Sequence, residues 1–128
     1  MKILGIGVDI IQNRRINKSI KNKKFIKRVF NNQEIIISNN KKNTINFYAK
    51  RFAVKESFSK ALGTGIRDRL NFKDIIILND KLGKPYIKKT KKINDLIKKR
   101  YKIKDYKLFL SISDENDYSI AFTILQKI

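Results

Sequence analysis

From Ile45 to Leu62 the chain carries apolar side chains on two opposite sides of a helix, and this more than any other feature restricts how it can fold. At about 100° per residue, Ile45, Ala49 and Phe52 form one stripe, while Phe47, Val54 and Phe58 form another across from it. A helix apolar on two sides must be packed on two sides. Thr44 is a candidate N-cap and Gly63 a candidate C-cap for it. The rest of the chain therefore has to supply two covers.

The flanking pattern provides them. Ile3 to Ile10 reads as a buried strand, with Gly5 and Gly7 allowing close backbone approach. Ile16 and Ile20 mark a short helix; Phe25 and Val29 lie out of phase with them, so Lys21 to Lys24 reads as a break between two short helices. A third short helix is expected over Glu34 to Ser38. Downstream, Phe72 to Leu78 reads as a strand, Asn79 to Pro85 as a turn, and a second strand starts near Tyr86. Lys91 to Arg100 is a basic helical stretch, and Leu108–Ser113 with Tyr118–Leu125 forms a hairpin. The order is strand, helices, then mostly strands, in a single domain over residues 1–128; this is the α+β class with a mainly antiparallel sheet.

Composition excludes much chemistry. With no Cys there is no thiol catalysis or thiolate metal site, and with no His there is no imidazole base or ligand. No apolar run reaches the ~18 residues of a membrane span, and Met1 to Asp9 lacks the long apolar core of an export signal, so a cytoplasmic location is expected. The net charge of +20 points to an acidic partner. Lys, Ile and Asn number 24, 23 and 13, all residues with A/T-rich codons, so part of the excess has a compositional source. The charge alone leaves a nucleic acid, an acidic adaptor target and an acidic substrate open.

Two carboxylates stand out. Asp9 ends an otherwise apolar strand, and Glu56 falls about 20° from Ile45, inside an apolar stripe. A buried carboxylate needs a partner. For Glu56 this is either Lys60, at i+4, or a metal shared with Asp9. Mg²⁺ suits such a pair, since it takes one or two protein carboxylates and completes its shell with water and substrate phosphates. Arg51, Lys55 and Lys60 then form an adjacent basic cluster for those phosphates.

The segments Gly5-Ile6-Gly7-Val8-Asp9-Ile10, Ala49 to Arg67 (with Arg51, Lys55-Glu56, Lys60 and Gly63-Thr64-Gly65), Asn79 to Pro85, and Leu110-Ser111-Ile112-Ser113-Asp114-Glu115 together resemble the holo-[acyl-carrier-protein] synthase family. The central block is specific and the resemblance spans nearly the whole chain. It implies a 4′-phosphopantetheinyl transferase-like fold with one long buried helix, assembled as a homotrimer with each active site shared between neighbours. The implied reaction moves 4′-phosphopantetheine from coenzyme A to a serine of apo acyl carrier protein, a step in fatty acid biosynthesis, and releases adenosine 3′,5′-bisphosphate.

By position, the resemblance makes Asp9 and Glu56 Mg²⁺ ligands and gives Lys60 a catalytic role. It places Arg51, Lys55, Lys60 and Gly63-Thr64-Gly65 around the coenzyme A phosphates, and Gly83, Lys84 and Pro85 near the adenine. Between Ile10 and Gln33 lie eight basic residues and no acidic one; Arg15, Lys24 and Arg28 are the expected contacts to the acidic carrier protein. Two positions depart from the family pattern: Phe109 stands where many relatives have His, and Gln12 where relatives often have Glu. The competing reading, a small noncatalytic nucleic-acid-binding domain, accounts for the charge but leaves Asp9 and Glu56 without a role.

Overall fold

The computed structural model describes residues 1–63 and 70–128. Strand β1 (Lys2–Gln12) leads into three short helices, α1 (Asn13–Ser19), α2 (Lys23–Val29) and α3 (Asn32–Ser38), and then the long α4 (Thr44–Leu62). After a 3₁₀ turn at Phe72–Asp74 come β2 (Ile77–Asn79), β3 (Pro85–Ile87), α5 (Lys91–Tyr101), β4 (Tyr106–Asp114) and β5 (Tyr118–Lys127). The main sheet has the order β1-β5-β4 and is antiparallel throughout; β2 and β3 form a separate antiparallel pair.

The two covers of α4 are distinct hydrophobic clusters. Its later residues Ala53, Val54, Phe58 and Leu62 pack with Ile93 and Ile97 of α5 and Ala121 and Leu125 of β5. Its earlier residues Phe47, Tyr48 and Ala49 pack with Ile16, Val29 and Phe30 of the short helices. The covers are therefore offset along the axis as well as around it, and Phe47 joins Ala49 rather than Val54 and Phe58. Asn43, one residue before the expected cap, caps α4 by accepting from the Asn46 amide at 3.0 Å. The expected strand from Phe72 begins only at Ile77, because Asn71 and Asp74 cap a tight turn first, with Asp74 accepting from the Asn71 amide.

β1 lies close against α4. A Cβ on Gly5 would sit 1.9 Å from the Ala61 carbonyl oxygen, and one on Gly7 would sit 1.8 Å from that of Ser57. Glycine is thus required at both positions, and the contact sets how near Asp9 comes to α4. Among the described residues nothing covers the other face of the sheet. Ile6, Val8 and Ile10 stand exposed opposite Ile124, Phe122 and Ile120, with Phe109 beyond Ile124. Among the described residues no helix is long and apolar enough to cross a membrane.

Candidate active site

The glycine-mediated contact brings the end of β1 beside the second half of α4. There the Lys60 ammonium donates to Asp9 Oδ1 at 3.1 Å and to the Val8 carbonyl at 2.9 Å. Lys60 thus pairs with Asp9 rather than with Glu56. Asp9 and Glu56 line one cavity, together with Arg15, Ser19, Phe25 and Phe52. Burial first, and then the Asp9 charge, push the Glu56 carboxyl above its ordinary range, while Lys60 opposes them. Two carboxylates repelling one another across a cavity suit a hard cation, which would relieve that repulsion. Among the described residues no third His, Cys, Asp or Glu joins these two carboxylates in a cluster.

The expected basic cluster is divided. Lys55 is fully buried; its ammonium donates to Glu34 Oε1 at 2.7 Å, to the Phe72 carbonyl at 2.9 Å and to the Ile75 carbonyl. All three of its N–H donors are engaged inside the protein, so Lys55 does not present a charge to a phosphate. Burial lowers its pKa, against the pull of Glu34.

Arg51 is set about 140° around α4 from Glu56 and lines a different cavity. That cavity also takes in Lys41, Lys42, Lys50, Asn79 and Asp114. The Arg51 guanidinium lies over the Phe47 ring, 3.8 Å from its centroid, and donates to Asn79 Oδ1 at 2.9 Å. Asn79 in turn donates to the Gly83 carbonyl at 2.9 Å, which connects Arg51 to the turn of Gly83, Lys84 and Pro85. Gly83 has φ +87°, in the left-handed region. Asp80 holds the same turn by accepting from the Leu82 and Lys84 amides.

Gly63 closes α4 in the left-handed conformation, φ +77°; Thr64 and Gly65 lie outside the described residues. Of the basic side chains on the short helices, Arg15 borders the carboxylate cavity, and Arg28 borders an adjoining one walled by Phe25, Phe52 and Phe72. Lys24 is exposed in the first turn of α2. Gln12 pairs with Tyr118 and sits with Arg14 and Asp117, away from the carboxylates, and Phe109 is exposed on the outer sheet face. No motif or spacing in the sequence marks Glu34 or Asn79 as part of this arrangement. Asn31 and Glu34 carry the spacing of a capping box, which forms, yet that spacing gives no hint of the ion pair to Lys55.

Comparison with known proteins identifies the family. The family model of the 4′-phosphopantetheinyl transferase superfamily matches residues 5–123. A holo-[acyl-carrier-protein] synthase of Pelagibacter ubique is 61% identical over 127 residues, covering 99% of both chains. The crystal structure of holo-[acyl-carrier-protein] synthase from Neisseria meningitidis superposes with a TM-score of 0.88 at 36% identity, covering 98% of this chain and 100% of that one. The Bacillus anthracis enzyme, in complex with CoA (3′,5′-ADP), gives a TM-score of 0.82 at 34% identity and 98% coverage of both. With the family match across most of its length and the full-length likeness to named synthases, the chain belongs to the 4′-phosphopantetheinyl transferase superfamily, as an enzyme of the holo-[acyl-carrier-protein] synthase type.

Proposed function

We propose that the chain transfers 4′-phosphopantetheine from coenzyme A to a serine hydroxyl of apo acyl carrier protein, with adenosine 3′,5′-bisphosphate as the leaving group. The observation that carries this reading is the pairing of Asp9 and Glu56 across one cavity, with Lys60 at 3.1 Å from Asp9, in a member of this family. Asp9 and Glu56 would hold Mg²⁺, which supplies a Lewis acid for the pyrophosphate when bound. Lys60, about half exposed, can leave Asp9 to offset charge on the departing bisphosphate. Glu56, which lines the same cavity as Asp9, is the candidate acceptor for the serine proton.

Arg51 and the Gly83-Lys84-Pro85 turn would take the nucleotide end. On one chain they occupy a different side of α4 from the carboxylates, and the outer sheet face is apolar and uncovered. Both features favour self-association, and the family resemblance makes the assembly a homotrimer, with the nucleotide half of one subunit serving the carboxylate half of its neighbour. Arg15 and Arg28 beside the carboxylate cavity, with Lys24, would receive the acidic carrier. Action in the cytoplasm fits such substrates. Incubation with coenzyme A, Mg²⁺ and an apo carrier tests the reading: the carrier should gain the mass of one phosphopantetheine. No gain with any apo carrier overturns it.

A further inference from the structure

We infer that Asn79 is a positioning residue for the nucleotide half of the site, fixing Arg51 and the Gly83 turn relative to each other; the inference rests on the transfer reaction proposed above. Asn79 ends β2, opposite Pro85 of β3. Both ends of its carboxamide are used, and in opposite senses: Oδ1 accepts from Arg51 and Nδ2 donates to the Gly83 carbonyl. An acceptor is needed on one side and a donor on the other, and asparagine supplies both at that reach.

Little else orients Arg51. Among the described residues its Nε is buried without a hydrogen-bond partner and forms an ion pair with Glu34 Oε2 at 3.8 Å, beyond hydrogen-bond distance. Phe47 fixes the plane of the guanidinium by stacking but does not fix its rotation within that plane. Among the described residues, Asn79 Oδ1 is the one hydrogen-bond acceptor that does. The same amide anchors the loop that carries Gly83 and Lys84, so the two elements expected to meet the nucleotide share one side chain. A planar, directional donor such as Arg binds phosphate well only when held in register.

The test uses adenosine 3′,5′-bisphosphate as the probe, titrated calorimetrically into the intact assembly of wild type, Asn79→Ala, Arg51→Gln and the double variant. Asn79→Ala should weaken probe binding about tenfold, the scale of one hydrogen bond to a charged group. It should raise KM for coenzyme A by a similar factor while kcat at saturation changes far less, a split that general loss of folded protein does not produce. The double variant should bind worse than Arg51→Gln alone by much less than tenfold, because the part of the Asn79 effect that runs through Arg51 is already lost and only the hold on the Gly83 turn remains. Asn79→Asp, which keeps the acceptor for Arg51 but opposes the Gly83 carbonyl with a second oxygen, should also weaken the probe; it serves if the alanine variant does not fold. Unchanged affinity in either Asn79 variant, with Arg51→Gln impaired, overturns the role of Asn79 alone. Unchanged affinity in Arg51→Gln overturns the nucleotide half itself.

Discussion

Lys55 and Glu34 meet at 2.7 Å with neither side chain exposed, and this pair joins the start of α3 to the middle of α4. Glu34 also caps α3 by accepting from the Asn31 amide at 3.0 Å, and Lys55 draws in the carbonyls of Phe72 and Ile75. Three segments, the start of α3, the middle of α4 and the turn from Phe72 to Ile75, thus converge on one ion pair. Breaking it strands a charge in the interior. Lys55→Met should therefore destabilise the fold by about 3–5 kcal/mol, seen as a lower urea midpoint with unchanged slope. A loss under about 1 kcal/mol would show that Glu34 finds water or another cation.

The close approach of β1 to α4 makes a second prediction. In Gly7→Ala the new methyl has no room beside the Ser57 carbonyl, so the strand must lift. Overpacking of this kind costs about 1–3 kcal/mol. It should also move Asp9 relative to Glu56, so transfer activity should fall further than the loss of folded protein explains. Activity per folded molecule, measured well below the unfolding temperature, separates the two effects.

Much of this was legible in the chain because the signals were local. The two glycines, the isolated Asp9 and the placement of Glu56 in an apolar stripe all lie within single elements, and periodicity alone marks them. Lys55 shows the limit. It sits beside Glu56 in the block that most resembles the family, but only the fold reveals Glu34 beneath it, 21 residues away in sequence. Asn79 was hidden in the same way. In sequence it is one more turn residue, and its value depends on Arg51 arriving from a different element. The division of the basic cluster follows directly from helix geometry: five residues along α4 turn the side chain by about 140°, so Arg51 and Glu56 cannot share a face.

Glu56 gives a pH dependence of definite sign. Its folded-state pKa lies above the ordinary 4.5, so in that window the folded protein holds the proton more tightly than the unfolded chain does. Its contribution to stability is fully present below about pH 4.5 and is lost as pH rises through the folded value. In a chelator-containing buffer, Glu56→Gln should therefore gain urea resistance relative to wild type as pH goes from about 4 to 7.5. Added Mg²⁺ should stabilise wild type at neutral pH but not this variant, whose transfer rate should drop by at least about 10²-fold. A variant that tracks wild type at every pH and responds equally to Mg²⁺ would remove Glu56 from the metal site.

Carrier capture should be electrostatic. Raising salt to ~0.3 M shortens the Debye length below ~8 Å and should increase KM for the carrier more than KM for coenzyme A. Arg15 and Arg28 border the cavities that Glu56 lines, so reversing either could also disturb the reacting groups. Lys24 is the cleaner reporter. Lys24→Glu should weaken carrier binding in a pull-down or calorimetric assay and leave coenzyme A affinity unchanged; the opposite pattern would move the docking surface elsewhere.

The outer sheet face decides whether the chain acts alone. Ile6 faces Ile124 across the β1–β5 pairing, Val8 faces Phe122 and Ile10 faces Ile120, and each of these side chains except Ile124 is exposed in the isolated chain. Three adjacent apolar rows on one sheet face are an association surface rather than a solvated one. The carboxylates and Arg51 also line different cavities, which under the proposed reaction are two half-sites on an isolated chain. For the homotrimer proposed above, sedimentation equilibrium should report about three times 15.1 kDa for wild type. Val8→Glu with Phe122→Glu places six like charges at the centre of such a trimer and should release monomers. Because the substitutions lie on the outer face, away from the packing of β1 on α4, each monomer should keep its secondary structure by circular dichroism yet lose transfer activity. A monomer that folds and still turns over at the wild-type rate would show that one chain holds a complete site.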